Sequence, residues 1–134
     1  MNTMQQEFDA VVAHLYAQGR PAIDRSNPET VACFYRQPNS TNKCAVGCRI
    51  PDAVYTPEMD KSTDEGGTSV SSLIKRFGDV LPPEIKEYEE MFSNLQVVHD
   101  SCLQNSDGTF NISRLNEELS RVALRFDLTF TVPQ

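Results

Sequence analysis

Apolar residues recur at helical spacing along several stretches of the chain and alternate or cluster in two others. Phe8, Val11, Val12 and Leu15 share one side of a first helix. Thr3 and Gln6 have capping-box spacing at its start, and Gly19 and Pro21 stop it. Ser69 caps a short helix carrying Val70, Leu73, Ile74 and Phe77, closed by Gly78. Pro82 and Pro83 open the longest one, in which Ile85, Tyr88, Phe92, Leu95, His99 and Cys102 follow at steps of three or four. After a turn at residues 105–108, Leu115, Leu119, Val122 and Phe126 mark a last helix. Residues 31–36 have the β-branched and aromatic character of a short strand, and residues 128–132 alternate as a terminal strand that could pair with it. Asn42 is placed to cap a helix over residues 43–50, ended by Pro51.

The expectation is one α+β domain over residues 1–134, mainly helical with four to five helices, beside a small antiparallel sheet of two to three strands. Its core would hold Phe8, Val11, Leu15, Phe34, Val46, Ile50, Leu73, Phe92, Leu95, Leu119, Val122 and Phe126. Residues 61–69, rich in charge, Ser, Thr and Gly, read as the most mobile segment.

Composition narrows the function more than the fold. With 134 residues, 39% hydrophobic and 23% charged, the chain is long enough for a core without staples and has no disordered bias. A net charge of −7 argues against a nucleic-acid binder, which needs clustered Lys and Arg. No apolar run approaches the roughly 20 residues of a membrane span, and the start lacks a signal-peptide pattern, so a cytoplasmic protein without a membrane partner is expected. The four cysteines are then expected as thiols.

The least generic stretch is Cys44-Ala45-Val46-Gly47-Cys48-Arg49-Ile50-Pro51-Asp52, where Ala45 and Gly47 would let a neighbouring element approach closely. Cys33, Cys44, Cys48 and His99 make up a structural zinc set by type, but their spacing matches no common finger, so no cofactor is expected and zinc is the alternative. Cys44, beside Lys43 at a helix start, has the setting of an activated thiol with His99 as base. Asp100, about 100° round the helix, is badly placed to orient that base. The simpler reading makes His99 a core histidine bonded to backbone, and His14 a boundary one. A ligand site, where present, would gather Tyr35, Arg36, Cys44, Cys48, His99 and Asp100, with the paired donors of Arg36 suited to an anion.

Cys33-Phe34-Tyr35-Arg36, Lys43-Cys44-Ala45-Val46-Gly47-Cys48, Ile50-Pro51-Asp52, Tyr55, Pro57-Glu58-Met59, Leu95-Gln96 and His99-Asp100 together resemble a family of small uncharacterised tailed-bacteriophage and prophage proteins. Arg49 replaces an aliphatic residue of that pattern. The resemblance implies a bacterial cytoplasm and an accessory protein that binds a host factor or small ligand without catalysis, including counter-defence roles. A small cysteine/histidine-dependent enzyme or zinc-stabilised domain is the alternative, and self-association a further one.

Overall fold

The structure, a computed structural model, describes residues 1–24, 32–61, 69–102 and 104–133. Five helices dominate these residues: α1 (Met4–Gln18), α2 (Val70–Phe77), α3 (Pro83–Glu87), α4 (Glu89–Ser101) and α5 (Ile112–Arg125). The α1 capping box forms as its spacing predicts, with Gln6 N–H donating to Thr3 Oγ1 and Thr3 N–H to Gln6 Oε1. Gly19 closes α1 at φ 73°, a left-handed position that glycine takes without strain. Ser69 caps α2, and Asn111 caps α5.

Helix α4 is the centre of the packing, since α2, α3 and α5 all rest on it. Its inward side carries Met91, Phe92, Leu95, Val98 and His99, all buried. Phe8, Val11 and Leu15 from α1 and Leu115 and Leu119 from α5 complete the core. Ten of the twelve expected core residues are buried, and Phe34 and Phe126 are half-buried. No helix is long and apolar enough to cross a membrane among the described residues.

The α+β expectation is overturned: the fold is all-α. The extended pairing among the described residues is a two-rung antiparallel ladder of Ile23–Asp24 with Ala32–Cys33, plus isolated bridges at Arg36–Lys43 and Gln104–Phe110, too little to form a layer. Residues 128–132 join no strand among the described residues. Instead the Gln5 side-chain amide bonds both N–H and C=O of Thr129, at 2.9 Å each, and the Phe130 ring meets Phe8 edge-on at 6.3 Å. Their alternation answers a helix face rather than a sheet.

Two helix expectations also change. The long helix from Pro83 divides at Tyr88, which leaves helical geometry (φ −109°, ψ 36°) while its hydroxyl donates to Asn2 C=O. The expected helix over residues 43–50 shrinks to a 3-10 turn, Gly47–Arg49, because Cys44 N–H is drawn to Tyr35 C=O and residues 36 and 43 pair as extended chain. Asn42 therefore caps no helix there. Ile50 is extended before Pro51, as that proline requires. The expected mobile segment falls largely on residues 62–68, outside the described residues, as does Val31 of the expected strand.

Candidate functional site

Ser93, Gln96, Val97 and Asp100 recur at steps of one helical turn on the outer side of α4. With Phe34 and Tyr35, and with Ser69, Val70 and Ser71 at the start of α2, they line a pocket of about 330 Å³. Val97 is largely exposed at its mouth, which adds apolar surface to a wall of hydroxyls and one carboxylate.

The carboxylate is held from behind. His99 is fully buried, and its Nε2 accepts the Ala22 N–H at 2.9 Å, so its proton sits on Nδ1. That Nδ1 donates to Asp100 Oδ1 at 2.7 Å, and Gln96 Nε2 donates to the same oxygen at 3.0 Å. Gln96 Oε1 in turn accepts from Val46 N–H. Asp100 Oδ2 accepts no hydrogen bond among the described residues. The expectation that Asp100 is badly placed for His99 is thus overturned. Nδ1 is bonded to Cγ, the ring atom that carries Cβ, and so lies close enough to the backbone for the following carboxylate to reach it despite the roughly 100° separation. The reading of His99 as a backbone-bonded core residue holds together with this bond, and its ring also meets Phe110 edge-on. His14 is a boundary residue bonded to Lys43 C=O.

Of the other expected site residues, Tyr35 lines the same pocket as Asp100, while Arg36, Cys44 and Cys48 disperse. Tyr35 is buried, and burial, with Cys44, Asp60 and Asp100 nearby, pushes its phenol up. Arg36 faces a different cleft, lined also by residues 40–43 and Asp52. Cys48 borders a third with Glu7, Arg49 and Pro82. Cys44 lines none of these: it is fully buried and its Sγ accepts the Gly47 N–H at 3.2 Å. Cys48 Sγ donates to Ala45 C=O, so both thiols turn onto their own backbone. Among the described residues no three His, Cys, Asp or Glu side chains group as cation ligands. The Cys33 side chain lies outside the described residues, so the four-residue zinc set is not placed.

The activated-thiol reading of Cys44 does not survive its surroundings. Burial pushes that thiol well above its usual range, and pushes Cys48 up to about 12 and Cys102 up to about 11. A raised thiol pKa leaves the thiolate scarce until pH climbs towards that value. At pH 8 a group at about 12 is ionised in about one molecule in ten thousand, against about a quarter for a free thiol. Iodoacetamide at pH 8 should therefore label Cys44, Cys48 and Cys102 at least a hundredfold more slowly in the native protein than in urea, read by peptide mass mapping. Fast native labelling of Cys44 would restore the nucleophile.

Three residues with evident structural duties were not picked out as site candidates. Asp60 accepts Tyr35 N–H at 2.6 Å, Arg36 N–H at 3.3 Å and the Tyr55 hydroxyl, fixing the segment whose Phe34 and Tyr35 line the pocket. Gln96, one turn before Asp100, was readable as a Gln–Asp pair at i, i+4. Glu7 is a buried carboxylate on an otherwise apolar face, gripped by Arg49 Nε at 3.0 Å and Nη2 at 2.9 Å and by Asn2 Nδ2 at 2.7 Å. This ion pair is what the Arg49 side chain does in the fold.

Comparisons with protein-family models, curated proteins and solved structures return no match.

Proposed function

We propose that the protein is a non-catalytic binder, of the bacteriophage accessory kind that the resemblance running from Cys33 to Asp100 suggests, and that its pocket takes a small ligand bearing an amine or amidinium on an apolar body. The observation that carries this reading is Asp100. Its Oδ1 is fixed by His99 and Gln96, while Oδ2 has no hydrogen-bond partner among the described residues at a wall shared with Phe34 and Val97. A preorganised carboxylate can accept a charged donor without first ordering itself.

Binding is favoured over turnover because the groups suited to proton transfer are occupied: both His99 ring nitrogens are bonded inside the core, and the buried thiols are held protonated. Titration of 15N-labelled protein with small amines, from butylamine to agmatine, should move the amide signals of Ser71, Gln96 and Val97 in a saturable way. Asp100→Asn should weaken this at least tenfold. Absence of saturable shifts, or equal binding by the Asn variant, would overturn the reading, and shifts produced only by a protein from bacterial lysate would replace the small ligand with a host factor.

A further inference from the structure

In a chain of net charge −7, the cleft beside Arg36 gathers two cations, Arg36 and Lys43, with Ser40, Thr41 and Asn42 across a space of about 320 Å³. Its remaining lining residue is Asp52, whose carboxylate is 85% exposed yet reaches back to Arg36 Nη2 at 2.7 Å. Lys43 Nζ stands 3.8 Å from the same oxygen, outside hydrogen-bond reach.

The guanidinium is fixed before any ligand arrives. It lies over the Tyr55 ring at 4.6 Å, and its Nη2 also donates to Ile50 C=O at 2.8 Å. Its Nε is buried and donates to no partner among the described residues, an unusual state for an arginine. Asp60, the other carboxylate nearby, is already engaged by two backbone N–H groups and Tyr55.

We propose that this cleft is a phosphate-binding site in which the Asp52 carboxylate is a tethered stand-in that the incoming anion displaces. The side chain of Asp52 is solvated, and ion pairs of that kind are weak. Its own pKa is lowered by the hydrogen bond from Arg36, as expected of an anion at this position. A single carboxylate uses one wall of the cleft. It leaves the Lys43 ammonium without a hydrogen bond and engages none of the Ser40, Thr41 and Asn42 side chains, whereas a phosphate dianion brings a second charge and three or four acceptor oxygens for both walls. Because it competes with a carboxylate that is always present, a monoanion gains little there and a dianion gains more. The ligand is a free phosphate or a phosphate group on a small molecule. The site is separate from the Asp100 pocket.

The test uses inorganic phosphate and phenyl phosphate as probes, titrated at constant ionic strength into the 15N-labelled full chain. Both the wild type and Asp52→Asn should show saturable shifts at the Ser40, Thr41 and Asn42 amides, with Asp52→Asn binding about threefold or more tightly. Tighter binding of phenyl phosphate would assign the group to a larger ligand, and equal binding would assign free phosphate. In the Asp52→Asn background, Arg36→Met should remove binding. Since Arg36 also holds Ile50, Lys43→Gln is the second variant, expected to weaken binding at least fivefold with unchanged melting. No saturable shift with either probe in Asp52→Asn would overturn the proposal, as would binding that neither cation's removal reduces, or that sulfate and chloride match.

Discussion

Gly47→Ala should destabilise the protein by about 4 kcal/mol, a large share of the roughly 5–15 kcal/mol that holds a domain folded. A Cβ at residue 47 would lie 1.9 Å from the Tyr35 carbonyl oxygen, 2.6 Å from its carbon and 3.1 Å from its Cα. All three are backbone atoms, so no rotamer change relieves the overlap. The two segments cannot simply separate either, because Tyr35 C=O accepts the Cys44 N–H and Tyr35 N–H is bound to Asp60. Urea unfolding followed by circular dichroism should show a much lower midpoint with an unchanged slope. A melting temperature within about 2 °C of the wild type would mean that the 35–47 contact is not as close as the structure has it.

Loss of one partner of the Glu7–Arg49 pair should come next in size. Glu7 is almost wholly inside, and Arg49 is its bidentate counterion. Arg49→Met leaves a buried carboxylate with only the Asn2 amide among the described residues, a change that costs about 3 kcal/mol or more. Replacing both members, as in Glu7→Leu with Arg49→Met, removes the stranded charge and should recover most of that loss. A double variant as unstable as the sum of the two single ones would show that the pair acts through packing alone, a result that a double-mutant cycle reads directly.

These two sites show what could be read from residues alone. The need for a small residue at position 47 was visible in the cluster of Ala45, Gly47 and two cysteines, although the element that approaches was not. The α1 cap was legible because both bonds of the box run between Thr3 and Gln6, with no distant partner. The helix expected over residues 43–50 failed because its first residues are claimed by Tyr35 and Arg36, a long-range competition that local spacing does not record. The terminal strand failed for a related reason: alternation at residues 128–132 specifies an apolar wall on one side, and α1 supplies that wall as well as a sheet would. Of the candidate site, the pairing of His99 with backbone was legible. The meeting of Asp100 with Tyr35 was expected as well, and both line the pocket. The share of Phe34 and the start of α2 was not legible, since three separate elements must first pack.

The contact between Gln5 and Thr129 joins positions 124 apart in the chain. Closing a loop of that length costs about 4 kcal/mol in chain entropy, before any contact inside it repays the loss. During translation, Phe8 has no Phe130 to meet until the more than one hundred residues between them have been made. Helix α1 therefore finishes its buried face only after the segment at residues 128–130 arrives, and until then its Phe8 edge is apolar surface open to misassociation.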